Sequence, residues 1–172
     1  FIKRIPEEIV IVIDEAYIEF VRDKSSLNSM NTMNSDGRVV ILRTFSKAYG
    51  LAGLRVGYGL MAEDIGRLLQ KIRQPFNVNS LAQAAALAAL DDREFFTKTL
   101  KLVHEGLDFM YAALDRMGVS YFPSQANFFL IRVGEADDVY ERLLREGVIV
   151  RSMTSYGFPD HKRLGCRYRH CA

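Results

Sequence analysis

The sequence predicts an α/β protein, and three observations predict it. A continuous β-branched run ends in two acidic residues, a second apolar run ends in a hydroxyl–lysine–glycine segment, and helical patterns follow, giving way to short strands near the end. Residues 9–13 (Ile-Val-Ile-Val-Ile) read as a central strand buried on both faces, with Asp14 and Glu15 at its carboxyl end. Residues 25–37 are rich in Ser, Asn and Asp, the composition of a loop or a broken helix end. Residues 38–43 form a second strand that leads into Thr44-Phe45-Ser46-Lys47. Gly50, Gly53, Gly57 and Gly59 then punctuate a turn and a strand over 54–60, where glycine lets backbone or ligand come close.

The spacing next predicts a helix over 62–73 that stops before Pro75, and an alanine-rich helix over 80–90. A long amphipathic helix over 92–117 ends at Gly118. Strands over 119–122 and 126–133, a helix over 136–146 and a strand over 148–151 make the later portion an α+β unit of separate character. The boundary falls near residues 75–92, dividing the chain into 1–80 and 81–172, with no internal repeat. A buried parallel strand so close to Phe1 needs partner strands, so further chain is expected ahead of it.

With 172 residues, 49% hydrophobic and 26% charged, the chain can bury a core and carry a polar surface, which argues against disorder. A net charge of +2 is too balanced to point to nucleic acid or an anionic membrane, so an anion site must be local. The longest apolar runs fall well short of the ~20 residues that cross a bilayer, and Phe1 opens no signal-peptide pattern. The two cysteines, Cys166 and Cys171, give no disulfide framework, and with His161 and His170 they make a poor zinc motif. A reducing, cytoplasmic compartment and no metal are expected.

Chemistry concentrates at the end of the second strand. Lys47 sits where open α/β sheets place their ligands. Thr44 and Ser46 can donate to a phosphate, Arg55 can pair with it bidentately, and the intervening glycines let the backbone approach. Asp14, at the end of the first strand, could keep a pyridine nitrogen protonated or simply cap a following helix. Tyr17 could donate to a phenolate oxygen or pack as a half-buried ring.

Together the segments Val12-Ile13-Asp14-Glu15-Ala16-Tyr17-Ile18-Glu19-Phe20 and Arg43-Thr44-Phe45-Ser46-Lys47-Ala48-Tyr49-Gly50-Leu51-Ala52-Gly53-Leu54-Arg55-Val56-Gly57-Tyr58-Gly59 closely resemble the fold-type-I, class-II pyridoxal-phosphate-dependent aminotransferases. Within these, the Asp-Glu-Ala-Tyr-Ile-Glu-Phe stretch is similar to the histidinol-phosphate aminotransferase family. Further similar stretches are residues 73–80, 123–128 and 147–151, so the resemblance runs from Ile9 to about Arg163. It implies that residues 1–80 are the C-terminal part of a large, mainly parallel sheet domain, and that residues 81–172 are connecting helices and a small C-terminal α+β domain. It implies pyridoxal 5'-phosphate as cofactor, held by Lys47 as a Schiff base, with Lys47 also moving the proton at the substrate Cα. Asp14 would hold the pyridinium proton, Tyr17 the phenolate oxygen, and Thr44, Ser46 and Arg55 the phosphate. Arg163 would anchor the substrate carboxylate and Arg151 the substrate-side anion, such as the phosphate of histidinol phosphate. The implied reaction is transamination of L-histidinol phosphate with 2-oxoglutarate in histidine biosynthesis, by a protein that is a homodimer at full length.

The chain departs from this family after Arg163. Residues 164–172 stand in place of the expected strand and closing helix, and from His161 onward the chain is basic and lacks strand alternation, which suggests a frame change or an aberrant terminus. The glycine-containing phosphate loop, stacking aromatic and asparagine that the family carries further forward have no counterpart here, so the 172 residues by themselves are expected to lack part of the active site. Other readings share the same residues: an aromatic or broad-range aminotransferase, a threonine-phosphate decarboxylase, or a non-catalytic phosphate-binding module.

Overall fold

The two apolar runs pair with each other. β1 (Ile11–Asp14) lies parallel to β2 (Val39–Thr44) with Asp14 opposite Leu42, and β3 (Gly57–Leu60) lies antiparallel on the other side of β2 with Gly57 opposite Thr44. The computed structural model describes residues 2–24 and 29–165. It divides into two units, residues 1–97 and 98–172.

In the first unit the strand order β1-β2-β3 puts β2 in the middle, with Val39 and Ile41 fully buried. The expectation of a central first strand buried on both faces is corrected. β1 is an edge strand among the described residues, and Ile9, Val10 and Val12 are about half exposed. A β-branched run is buried on both faces only where neighbours cover it, and here β2 is its sheet neighbour. The Ser/Asn-rich stretch holds a two-turn helix, α1 (Ser29–Ser35). The expected strand over 54–60 is shorter, because Ala52–Leu54 forms a 3-10 turn and Arg55 takes a left-handed conformation (φ 54°) before β3 begins.

α2 (Glu63–Ile72) carries Glu63 and Asp64 in its first turn and Lys71 in its last, matching the helix dipole, and stops ahead of Pro75. α3 (Ser80–Asp91) is capped by Asn79, whose Oδ1 accepts the Ala82 N–H at 2.8 Å. Ala82 and Ala86, both buried, let α3 close onto Phe45 and Val56, the residues that flank the Lys47 turn. Each buried aromatic or aliphatic side chain there contributes roughly 1.5–3 kcal/mol. α4 (Arg93–Met117) begins in this unit, where Phe96 meets Tyr49 at 5.2 Å between ring centroids.

In the second unit α4 ends at Gly118 (φ 66°), a left-handed stop that a residue with a Cβ would strain. β4 (Tyr121–Phe122), β5 (Phe128–Arg132), β6 (Arg151–Ser152) and β7 (His161–Gly165) form an antiparallel sheet ordered β4-β5-β7-β6, with α5 (Ala136–Arg145) against β6 and β7. Tyr111 of α4 stacks on Tyr121 at 4.7 Å and meets the buried Phe129 edge-on at 4.9 Å, fastening helix to sheet.

Two expectations are corrected in this unit. The strand expected over 148–151 is only Arg151–Ser152, and Val148 and Ile149 are exposed. The strand alternation found lacking from His161 onward is nevertheless a strand, β7, paired on both edges. Its inward position is Lys162, fully buried, whose Nζ lies 3.1 Å from Asp137 Oδ1 at the start of α5 and 5.3 Å from the Tyr140 ring centroid. An ion pair there supplies what an apolar side chain would ordinarily supply. Cys166, His170 and Cys171, and the tail beyond Gly165, lie outside the described residues. Among the described residues no helix is long and apolar enough to cross a membrane.

Candidate active site

Asp14 and Thr44 end the two parallel strands, Thr44 two residues beyond Leu42, the register partner of Asp14, and both lie at the carboxyl ends of the pair. After β2, Phe45 and Ala48 are buried while Ser46 and Lys47 between them face outward. Four bonds hold this turn: Phe45 N–H to the Val56 carbonyl (3.2 Å), Ser46 N–H to Thr44 Oγ1 (3.1 Å), Gly50 N–H to the Lys47 carbonyl (3.1 Å) and Leu51 N–H to the Phe45 carbonyl (2.9 Å). Gly50 has φ 71°, a backbone conformation that strains a residue with a Cβ, and a Cβ there would also press on the Phe95 ring at 3.1 Å. Gly57 is required by space alone, because a Cβ would come 2.7 Å from the Arg43 carbonyl oxygen.

The result is a depression of about 300 Å³ at the carboxyl ends of the parallel strands, into which Asp14, Thr44, Ser46, Lys47 and Arg55 converge. These five are the residues singled out in the sequence for the ring nitrogen, the phosphate and the Schiff base. Arg55 is held out of the ordinary backbone region, with its Nη1 donating to the Ala52 carbonyl at 2.9 Å. Left-handed non-glycine residues cluster at functional sites. Asp14 Oδ1 accepts the Ala16 N–H at 3.0 Å, a turn bond rather than a helix cap: the following 3-10 helix, Ile18–Phe20, begins at Tyr17 without a side-chain cap. Tyr17 is half-buried, and Lys47 Nζ stands 5.2 Å from its ring centroid. The donor set fits a phosphorylated pyridine: a carboxylate for the ring nitrogen, a primary amine for the aldehyde, and two hydroxyls with a guanidinium for the phosphate.

Arg151 and Arg163 belong to the second unit and are directly opposite each other on β6 and β7. Arg151 Nη2 donates to Tyr156 Oη at 2.8 Å, and the Arg163 guanidinium lies 4.8 Å from the Phe128 ring centroid. Two like charges directly opposite are unfavourable in a bare sheet, and an anion between them relieves the repulsion.

Sequence reasoning missed a charged network around the first site. Glu15 is 6% exposed; its Oε2 accepts Arg43 Nε at 2.8 Å and its Oε1 accepts the Ser29 hydroxyl. Burial works against the Arg43 charge, yet the hydrogen bond to Glu15 and the nearby Tyr58 hydroxyl outweigh it and hold the guanidinium pKa above its ordinary value. Burial pushes the neighbouring Glu19 carboxyl up, against the pull of its own backbone hydrogen bond and Arg43, and its buried Oε2 has no hydrogen-bond partner among the described residues. The available signal was Arg43 itself, a charge closing the apolar run Val39-Val40-Ile41-Leu42.

The architecture is that of the fold-type-I α/β class. A structure described as histidinol-phosphate aminotransferase from Sinorhizobium meliloti in complex with pyridoxal-5'-phosphate superimposes with a TM-score of 0.89 at 28% identity, covering 98% of this chain and 47% of that one. An L-threonine-O-3-phosphate decarboxylase from Porphyromonas gingivalis superimposes with a TM-score of 0.77 at 25% identity, covering 95% and 51%. The chain belongs to the family described as aminotransferase class I and II, whose model matches residues 2–168. Among sequences, the histidinol-phosphate aminotransferase of Desulfotalea psychrophila is 50% identical over 168 residues, 95% of this chain and 44% of that protein. The chain therefore spans about half the length of the relatives it matches, and the resemblance read from the sequence is borne out over the stretch it covered.

Proposed function

We propose that the protein is a pyridoxal-5'-phosphate-dependent aminotransferase that converts L-histidinol phosphate and 2-oxoglutarate to imidazole acetol phosphate and glutamate, in the cytoplasm, as a step of histidine biosynthesis. The activity is proposed for a protein of the relatives' whole length. One observation carries the reading: Lys47 converges with Asp14, Thr44, Ser46 and Arg55 in one depression at the ends of two parallel strands. The 50% identity to a relative named for this activity supports the choice of substrate.

When bound, the cofactor supplies an electron sink for the bond broken at the substrate Cα. Lys47 would hold the cofactor through Nζ, and its amine, once displaced by the substrate, would move the proton at the substrate Cα. Asp14 keeps the proton on the ring nitrogen, which preserves the sink. Tyr17 donates to the phenolate oxygen, and Thr44, Ser46 and Arg55 bind the phosphate and set the ring's position. Arg151 and Arg163 bind substrate anions in turn, the phosphate of one substrate and the carboxylates of the other. A homodimer is part of the proposal. Leu81, Leu87 and Leu90 of α3 are more than half exposed, and Phe76 is 97% exposed with a left-handed φ of 55°, both supporting a surface covered by a second copy.

The likeness to the P. gingivalis decarboxylase favours one second reading, because threonine phosphate also offers a phosphate and a carboxylate to paired arginines. The discriminating experiment incubates the full-length protein with 2-oxoglutarate and either histidinol phosphate or threonine phosphate, measuring glutamate and released carbon dioxide. Glutamate formation with histidinol phosphate is expected. Carbon dioxide from threonine phosphate, with no glutamate from histidinol phosphate, would replace the proposal with the second reading.

A further inference from the structure

We propose that Glu15 and Arg43 are positioning residues that set the spacing between the two halves of the cofactor cradle from the opposite face of the sheet. The inference rests on the reading of the depression as the pyridoxal-phosphate site. One half of that cradle, Asp14, stands on β1, and the other half, Thr44 to Lys47, follows β2. These halves come from separate stretches of chain, and their mutual distance depends on how the two strand ends are tied.

Strand alternation, with Asp14 opposite Leu42, puts Asp14 and Thr44 on one face and Arg43 on the other, together with Glu15 just beyond β1. Asp14 and Ala16 line the depression, as do Leu42 and Arg43 of β2, whereas Glu15 is buried and the Arg43 guanidinium is drawn to it on the far face. From the far face the Glu15 carboxylate reaches Arg43 Nε at 2.8 Å and accepts from Ser29 at the start of α1, while the Glu15 N–H bonds the Leu42 carbonyl at 2.9 Å. Arg43 in turn stands directly opposite Tyr58, its register partner on β3. One buried carboxylate and one guanidinium thus join the end of β1, the start of α1 and β2, with Tyr58 of β3 facing the guanidinium, immediately behind the residues assigned to the cofactor. The guanidinium's fixed fork makes the tie directional, which a lysine would not reproduce. At metal sites, side chains that orient the ligands from behind are worth about tenfold or more in affinity, and the same positioning logic applies to a cradle whose halves must be held at a fixed spacing.

The test uses the full-length protein and pyridoxal phosphate as the probe. Glu15→Gln, Arg43→Lys and the double variant Glu15→Gln/Arg43→Lys are compared with Asp36→Asn, which breaks the Asp36–Arg38 ion pair (2.7 Å) at the other end of β2 and so controls for lost stability in the same sheet. Circular dichroism confirms folding, and the cofactor dissociation constant is read by absorbance titration. The expected result is a rise of about tenfold in that constant for each clamp variant, no further rise in the double variant, and no change for Asp36→Asn. Folded clamp variants that bind as the parent does, or that lose no more affinity than Asp36→Asn, overturn the proposal. Borohydride reduction of the parent protein is run alongside. Failure to label Lys47 there would defeat the cofactor reading itself, and this inference with it.

Discussion

Replacing Gly57 by alanine tests how closely the strand that carries Thr44 is packed. A Cβ at residue 57 would stand 2.7 Å from the Arg43 carbonyl oxygen and 3.5 Å from Thr44 Cα, and ordinary contact begins at 3.4 Å. The backbone of β2 or β3 must therefore give by about 0.7 Å, and no flexible side chain is there to absorb it. Overpacking of this kind costs about 1–3 kcal/mol, while the lost freedom of the unfolded chain returns about 0.4–1 kcal/mol. The net expectation is a destabilisation of roughly 1–2 kcal/mol. Gly53 is the internal control: nothing lies within 4 Å of its Cβ position and its φ is not positive, so Gly53→Ala is expected to be neutral or to stabilise by about 0.4–1 kcal/mol. Urea unfolding of both variants, followed by far-ultraviolet circular dichroism, measures the difference. Gly57→Ala should also weaken cofactor binding, since the displaced backbone is that of Arg43 and Thr44. Equal stability of the two variants would refute the close approach on which the site's shape depends.

Other expectations concern charge. The Glu19 carboxyl, pushed up by burial from an ordinary 4.5, binds its proton more tightly folded than unfolded. Its contribution to stability is therefore full below pH 4.5 and lost as the pH rises through the raised value. Unfolding free energy measured between about pH 4.5 and 7 should include a decline with rising pH that Glu19→Gln removes; an unchanged slope in that variant would count against the burial. In the second unit, Asp137→Asn strands the buried Lys162 ammonium and should lower the unfolding midpoint, whereas Lys162→Met should keep or raise it. A larger loss from Lys162→Met than from Asp137→Asn would contradict the assignment of Lys162 as a paired interior charge. The Lys162 ammonium beside it holds the Asp137 carboxyl below its ordinary range, so this pair's contribution is present near neutrality and fades only in strong acid.

Much of the first unit was legible because its chemistry is local in the chain. Thr44, Ser46, Lys47 and Arg55 are twelve residues or fewer apart, and a strand end followed by glycines is enough to turn them to one side. Helix positions followed from apolar spacing, from Pro75 and from Gly118. The Glu15–Arg43 tie was not legible, because its members are 28 residues apart and each alone reads as an ordinary surface charge. β1 was expected to be more buried than it is: a β-branched run reports what a strand tolerates, while burial depends on which neighbours are present. β7 escaped detection because Lys162 occupies an inward position, and its compensating partner, Asp137, is 25 residues away on a helix.

The most direct test of the account addresses Lys47. The full-length protein is mixed with pyridoxal phosphate, reduced with borohydride, digested and mapped by mass spectrometry, with Lys47→Ala in parallel. The account predicts a visible absorbance band that vanishes on reduction, a cofactor adduct on the peptide that carries Lys47, and neither signal in Lys47→Ala. An adduct on a different lysine, or a folded protein that takes up no cofactor, would contradict it.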